Sequence, residues 1–138
     1  VCSSDLLLFA ALSALPGCLV YTNDPVPANN ARPYITYADA GCYADDYYQD
    51  FVWYFDADVE DADGANDVTA VYADVYDSWT GEWQDGFELY PEEGVTWYSA
   101  WVGSSTWLDC TYPDYEVDIT AEDIMGATDV VTVIPATW

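Results

Sequence analysis

Apolar and polar side chains alternate along several stretches of this 138-residue chain, and this alternation is the strongest constraint on its fold. Between residues 50 and 59, Phe51, Trp53 and Phe55 would share one face, and acidic side chains would point the other way. A period of two places successive side chains on opposite faces of a strand, so such a stretch predicts a β-strand with one buried face. Further candidate strands span 34–43, 68–76, 87–90, 95–102, 115–121 and 130–134.

Short turn sequences separate these candidate strands, among them Asp63-Gly64, Thr80-Gly81 and Asp85-Gly86. No segment carries a convincing apolar stripe with the period of a helix. About seven short strands in roughly 105 residues is the number typical of an immunoglobulin-like domain. The sequence therefore predicts an all-β fold: a single immunoglobulin-like antiparallel β-sandwich of about seven strands over residues 34–138.

The charge of the chain is extreme, because 26 acidic residues stand against one arginine, with no lysine and no histidine, for a net charge of −25. Aromatic residues make up 17% of the chain, so it has enough apolar material for a packed core. The charge excludes nucleic acid as a partner, since binding requires cationic groups that displace counterions from phosphates. Without histidine or lysine, Ser–His and Cys–His nucleophiles, Schiff bases and P-loops are also excluded, and we expect no enzyme.

The N-terminal eighteen residues combine an apolar run with a cysteine motif. The run Leu6–Leu15 is about half as long as a membrane span, which is typical of a signal peptide. Leu15, Gly17 and Cys18 follow it and resemble the bacterial lipobox. The resemblance implies a lipoprotein signal peptide at 1–17 and a membrane anchor through lipidation of Cys18. The alternative is a buried N-terminal helix with an incidental cysteine.

The residues around this motif bear on location and on the start of the chain. In lipoproteins an aspartate after the lipidated cysteine often signals inner-membrane retention; Leu19 stands there instead, so the resemblance implies the outer membrane. Residues 18–33 hold the lipidated cysteine and a tether rich in proline and asparagine. Residues 1–5 have neither methionine nor positive charge and resemble a translated sequencing adapter, so we expect a truncated or artefactual start.

Two of the four cysteines are expected to pair. Cys2 lies in the suspect start and Cys18 is expected to carry lipid, which leaves Cys42 and Cys110. Export would place both in an oxidising compartment, so we predict a structural disulfide between them. A metal site with two cysteines and no histidine is the weaker alternative.

A second resemblance lies near the C-terminus. The motif Tyr-x-Val-x-Ile-x-Ala-x-Asp-x-x-Gly runs from Tyr115 to Gly126, and a valine-rich strand follows it. It resembles the last two strands of bacterial immunoglobulin-like and fibronectin-III-like domains, and 57–71 is similar to their earlier strand–loop–strand unit. The resemblance implies a spacer, adhesion module or ligand-binding unit at the cell surface. The segment 78–86 looks inserted relative to those domains.

Oxygen-bearing side chains are concentrated in residues 58–67, between two predicted strands. Six of these ten residues are acidic or asparagine, and Ca²⁺ takes about six to eight oxygen ligands. The alternative, favoured on the sequence alone, is a solvated acidic turn whose carboxylates accept hydrogen bonds from the backbone. No cofactor other than Ca²⁺ is indicated. The candidate calcium ligands are Asp58, Glu60, Asp61, Asp63 and Asp67.

The many tryptophans offer a second candidate binding site. Aromatic faces stack against sugar rings, and neighbouring carboxylates accept hydrogen bonds from sugar hydroxyls. The candidate glycan-binding residues are Trp79, Trp83, Trp97 and Trp101. The alternative is a belt of core aromatics, since tryptophan and tyrosine are favourable strand residues. A glycosidase pair drawn from Asp109, Asp114 and Glu116 is a distant third, because so many carboxylates bring some pair together by chance.

These features together predict a non-catalytic lipoprotein of the cell envelope, with an immunoglobulin-like domain acting as a binding, adhesion or structural module. Its expected partners are the membrane, through the lipid anchor, and a protein or glycan ligand. A carbohydrate-binding module is the runner-up, and a small glycan hydrolase comes third. The acidity itself has two interpretations, a surface adapted to salt or a specific acidic surface for cationic partners.

Overall fold

The computed structural model describes residues 29–137, so the predicted signal peptide, Cys18 and most of the tether lie outside the described residues. Within that range no helix is long and apolar enough to cross a membrane. Two short 3-10 turns, Ala65–Asp67 and Gly103–Ser105, accompany seven strands. The strands are β1 (Tyr34–Asp45), β2 (Asp50–Glu60), β3 (Val68–Asp77), β4 (Trp83–Pro91), β5 (Thr96–Val102), β6 (Tyr115–Asp123) and β7 (Thr128–Val133).

The strands pair antiparallel in the order β1-β2-β5-β4-β3-β6-β7. Pairing between β4 and β5 is confined to Tyr90 with Tyr98 and Pro91 with Trp97. The sheet therefore divides into a three-stranded layer, β1-β2-β5, and a four-stranded layer, β4-β3-β6-β7. The predicted fold class, an all-β sandwich of about seven antiparallel strands, is confirmed.

One core lies between the two layers. Phe55 of β2 stacks on Phe87 of β4 with ring centroids 4.6 Å apart, and Trp53 meets Tyr115 of β6 edge-on at 5.8 Å. Each of these large side chains contributes about 1.5–3 kcal/mol by leaving water. The apolar strand residues with at most 1% exposure are Ala40, Trp53, Phe55, Ala57, Val59, Val71, Ala73, Val75, Leu89, Val117, Ile119 and Ala121. Period-two alternation predicts this inward face for β2, β3 and β6.

The outer edges of the sheet also meet. Ala136, which follows β7, donates its N–H to the carbonyl of Ala40 at 3.0 Å and accepts from the N–H of Cys42 at 2.8 Å. This parallel bridge joins the end of the chain to β1. The nearly closed sheet satisfies backbone groups that would otherwise form an open edge.

The segment 78–86, which looks inserted in the sequence, is the turn between β3 and β4 and the first half of β4. The prediction began the strand at Phe87, but β4 begins at Trp83. The reason is local: Gly86 interrupts the alternation, and the Trp83 ring lies over it. A Cβ at Gly86 would come within 3.3 Å of that ring.

The predicted disulfide between Cys42 and Cys110 is present, with the Cα atoms 5.8 Å apart. It joins β1 to the loop between β5 and β6, and both cysteines are buried. The bond spans a sequence separation of 68 residues. A crosslink over that distance removes conformational freedom mainly from the unfolded chain.

Replacing Cys42 and Cys110 together by alanine should lower the free energy of unfolding by about 4 kcal/mol, because the long loop is no longer closed in the unfolded state. Urea unfolding of the two proteins measures the difference. Wild-type protein reduced with dithiothreitol should match the double variant. A loss below about 1 kcal/mol would contradict this role for the bond.

Candidate metal centre

Three aspartates converge in the loop between β2 and β3. One carboxylate oxygen from each of Asp61, Asp63 and Asp67 lies within 4.8 Å of the other two. The loop is folded back by its own carboxylate, since Oδ1 of Asp61 accepts the N–H of Asp63 at 2.7 Å. Gly64 then takes a φ of 117°, a conformation open mainly to glycine, and the 3-10 turn after it returns Asp67 to the cluster.

The acidic cluster, as we call Asp61, Asp63 and Asp67, lies where the tether enters the domain. The backbone N–H of Ala31 donates to Oδ2 of Asp63 at 2.7 Å. Two residues of the β6–β7 turn, Ile124 and Met125, close one side of an open depression of about 300 Å³, and Asn29, Asn30, Asp63 and Asp67 complete it. The depression thus joins the tether to two loops.

Asp123, at the end of β6, lies below the depression and is 1% exposed. Asn30 donates its amide to Oδ2 of Asp123 at 2.6 Å, and the N–H groups of Met125 and Ala127 donate to Oδ1, both at 2.8 Å. Burial works to raise the pKa of Asp123, but these hydrogen bonds outweigh it, and the pKa is lowered. Asp123 therefore stays ionised and holds the β6–β7 turn in place.

Two carboxylate oxygens of the acidic cluster lack such donors. Oδ2 of Asp61 and Oδ2 of Asp67 are shielded from solvent and accept no hydrogen bond from the described part of the chain. Burial raises the pKa of Asp67, and the charges of Asp61, Asp123 and Asp63 raise it further. Negative charges that face one another without a donor or a cation destabilise the loop.

The cluster fits Ca²⁺ in both chemistry and spacing. Ca²⁺ binds oxygen ligands at about 2.3–2.6 Å, so two oxygens on one ion can lie up to about 5 Å apart. The 4.8 Å limit of the cluster falls within that span. Mg²⁺ binds at about 2.0–2.1 Å, demands near-ideal octahedral geometry and usually keeps several waters. The three aspartates would supply part of the ligand shell, with water completing it.

The other two predicted ligands do not join the cluster. Asp58 lies on the outer face of β2, where its Oδ1 accepts the hydroxyl of Thr96 at 2.7 Å. Glu60 is the exposed last residue of β2. Both occupy even positions of a strand whose odd positions face the core, and strand alternation therefore separates them from the loop.

The predicted glycan-binding tryptophans do not share one surface. Trp79 is 81% exposed and Trp83 is 56% exposed, both around the β3–β4 turn. Trp97 and Trp101 are partly buried and pack against the core. They lie on the same face of β5 as the buried Ser99. Period-two alternation therefore places both of them on the inner side of the sandwich.

Exposed aromatic residues lie instead at the end of the sandwich opposite the acidic cluster. Trp107 is 86% exposed and Tyr47 is 87% exposed, and neither was among the predicted ligand residues. The β1–β2, β3–β4 and β5–β6 loops meet at this end because strand direction alternates. The sequence signal for Trp107 and Tyr47 is their position in loops rather than strands.

Hydrogen bonds hold this end together. The N–H of Trp107 donates to Oδ2 of Asp85 at 2.9 Å, and the hydroxyl of Tyr112 donates to Oδ2 of Asp77 at 2.5 Å. That hydrogen bond is the first cause that lowers the pKa of Asp77 and raises that of Tyr112 to about 12. The N–H of Trp79 donates to the other Asp77 oxygen at 2.9 Å. Asp77 thereby links the β3–β4 turn to the β5–β6 loop.

The three carboxylates considered for hydrolysis have different surroundings. Asp109 caps its own loop by accepting the N–H and hydroxyl of Thr111, which lower its pKa. Asp114 uses its backbone carbonyl to accept the N–H of Ser78. Glu116 lies opposite Tyr76 in the sheet. A general acid needs a raised pKa, and Asp109 shows the opposite shift.

The chain matches no family model, no curated protein and no solved structure. The function of the acidic cluster must therefore be inferred from its own geometry. That geometry offers hard oxygen ligands, a net negative charge and two carboxylate oxygens without donors. These are the properties of a site for a hard cation.

Replacing Asp67 by asparagine should raise the melting temperature of the metal-free protein, because one of three mutually repelling charges is removed. The measurement is thermal unfolding at neutral pH in low salt with EDTA. Asp46→Asn is the matched control, since it removes the same charge from an exposed turn at the opposite end. An equal or smaller gain for Asp67→Asn would contradict a repulsive cluster.

Proposed function

We propose that this protein is a non-catalytic, calcium-stabilised surface module of the cell envelope. The observation that carries the proposal is the acidic cluster, whose three carboxylates lie within 4.8 Å and leave two shielded oxygens without a donor. After Arg32 the chain contains no positively charged side chain that could neutralise them. Arg32 itself is exposed, so a cation from solution is the source of compensation that we propose.

The cellular context of this proposal is a lipid-anchored domain of the outer membrane. The lipobox-like sequence ending at Cys18 supports it, together with the proline-rich tether that follows. The tether enters the domain beside the acidic cluster, where the N–H of Ala31 donates to Asp63. Calcium at that position would stiffen the connection between the anchor and the domain. The immunoglobulin-like sandwich beyond it serves as the binding or structural unit.

Calcium titration of the full chain tests the proposal. Millimolar CaCl₂ should raise the melting temperature, because a ligand that binds only the folded state stabilises it by about 2.7 kcal/mol at a hundred times its Kd. Asp61→Asn and Asp63→Asn should abolish the increase, whereas Asp46→Asn should retain it. NaCl at equal ionic strength should give a smaller increase, since screening acts on all the charges alike.

Two outcomes would overturn the calcium site. One is an equal increase with CaCl₂ and with NaCl of matched ionic strength. The other is a calcium-dependent increase that persists in both Asp61→Asn and Asp63→Asn. Magnesium as effective as calcium would reject calcium selectivity, since Mg²⁺ demands near-ideal octahedral geometry and is seldom bound by protein carboxylates alone.

A second candidate function is glycan binding at the aromatic end of the sandwich. The observation that favours it is the exposure of Trp79 and Trp107, each above 80%, on loops fixed by Asp77 and Asp85. Exposed aromatic rings on rigid supports lose little entropy when they stack against a sugar ring. The carboxylates around them would repel acidic polysaccharides, so a neutral glycan is the expected ligand.

Titration with neutral oligosaccharides should change the tryptophan fluorescence, and Trp79→Ala and Trp107→Ala should each weaken binding severalfold through loss of a stacking surface. Tyr34→Ala is the control, because Tyr34 is an exposed aromatic residue at the other end. Alginate, an acidic polysaccharide, should not bind. Unchanged fluorescence across a broad panel of neutral glycans would reject this function.

A further inference from the structure

The outer face of the β1-β2-β5 layer carries a group of tyrosines around two aspartates. Asp39 of β1, Asp56 of β2 and Tyr98 of β5 lie directly opposite one another in register. Tyr37 occupies the row before, and Tyr54 the row after. We call this group, together with Tyr43, the tyrosine–aspartate face. It is distinct from the acidic cluster and from the aromatic end.

Tyr54 is held flat across this face by glycine. It lies opposite Gly41, where an added Cβ would come within 2.8 Å of the Tyr54 hydroxyl. The hydroxyl donates to Oδ2 of Asp39 at 3.1 Å. Burial raises the pKa of Tyr54 to about 12, with further contributions from Asp39. The rings of Tyr54 and Tyr43 are 6.2 Å apart, so the aromatic surface extends along the face.

The two aspartates differ in how they are satisfied. Asp39 accepts hydrogen bonds from Tyr54 and from the N–H of Ala40. Oδ1 of Asp56 is shielded from solvent and accepts no hydrogen bond from residues 29–137. Burial raises the pKa of Asp56, followed by the charges of Asp58 and Asp39. Like charges directly opposite on neighbouring strands are destabilising. A cation between Asp39 and Asp56 would relieve this repulsion.

The four-stranded layer also carries two directly opposed aspartates, and there each of them has a hydrogen-bond donor within the chain. Asp74 and Asp118 are also directly opposite, on β3 and β6. There Oδ1 of Asp74 accepts the indole N–H of Trp83 at 2.9 Å, and Oδ1 of Asp118 accepts the hydroxyl of Thr132 at 2.6 Å. Each aspartate of that pair has its own side-chain donor. The tyrosine–aspartate face provides a side-chain donor for Asp39, but Oδ1 of Asp56 accepts no hydrogen bond from the described residues.

A further donor for the Asp39–Asp56 pair would come from outside the described residues and would have to fit between aromatic rings. A guanidinium group meets both conditions, because it is planar, carries several N–H donors and stacks on aromatic faces. A metal ion is less suited: within the described residues, Asp61, Asp63 and Asp67 form the one group of three ligands within metal-binding distance. Tyr37 and Tyr43 are 49% and 41% exposed, so their rings remain accessible.

We propose that the tyrosine–aspartate face binds an arginine side chain from a basic segment of a partner protein. The guanidinium lies against the rings of Tyr37, Tyr54 and Tyr98 and donates to Asp39 and to Asp56, whose shielded carboxylate oxygen turns toward it on binding. Charge complementarity supports this occupant, because the chain beyond Arg32 has no cation of its own. The site goes beyond the calcium proposal and does not depend on it.

The test is an NMR titration of the full chain with the neutral-ended tripeptide acetyl-Gly-Arg-Gly-amide at about 150 mM NaCl, where long-range attraction is screened beyond about 8 Å. Amide shifts should be confined to β1, β2 and β5. The double variant Asp39→Asn with Asp56→Asn should weaken binding at least about tenfold, since charge-assisted hydrogen bonds are lost. Asp74→Asn with Asp118→Asn, which removes the same charge from the other layer, should change affinity less than about twofold.

A second pair of variants keeps the charge constant. Gly41→Ala should displace Tyr54 and weaken binding, whereas Gly86→Ala, beneath Trp83 on the other layer, should not. Equal losses for the two double variants would overturn the proposal, because binding would then reflect net charge alone. So would a lysine tripeptide that binds as tightly as the arginine one. Folding of each variant is verified by its melting curve.

Discussion

The absence of positive side chains after Arg32 determines how this domain is held together. In most proteins a carboxylate finds an arginine or lysine, but here neutral donors must serve instead. Backbone N–H groups supply many of them, as at Asp50, which accepts from Phe51 and Ser104 and has a lowered pKa. Hydroxyl and indole groups supply others, as at Asp77. These charge-assisted hydrogen bonds are stronger than neutral ones.

The same constraint makes the exceptions informative. Where a carboxylate oxygen is shielded from water and no neutral donor reaches it, the fold has left a negative charge uncompensated. Within residues 29–137 this occurs at Asp56, Asp61 and Asp67. In a chain with ordinary charge balance a nearby lysine could move in. In this one no lysine is available and Arg32 is the single arginine, and for that reason both proposals concern cations from outside the domain.

The rule of period-two alternation predicts much of the fold from the sequence. It does not predict how the aspartates of the acidic cluster or of the tyrosine–aspartate face come together. Period-two alternation identifies the buried face of β2 and also places Asp58 and Glu60 away from the loop and Trp97 and Trp101 against the core. The convergence of Asp61 with Asp67 depends on the φ of 117° at Gly64. The pairing of Asp39 with Asp56 depends on the register of β1 against β2, which the length of their turn fixes.

The positions of the sites separate stabilisation from recognition. Strands that alternate in direction place the tether and the acidic cluster at one end and the aromatic loops at the other. An ion at the acidic cluster would neutralise charge and fix the tether without covering the aromatic loops, which lie at the far end. It would also lie beyond a Debye length of about 8 Å from them, so it would change their electrostatic potential little. Calcium would therefore act on stability and orientation, while ligand binding at the far end would depend on the aromatic residues themselves.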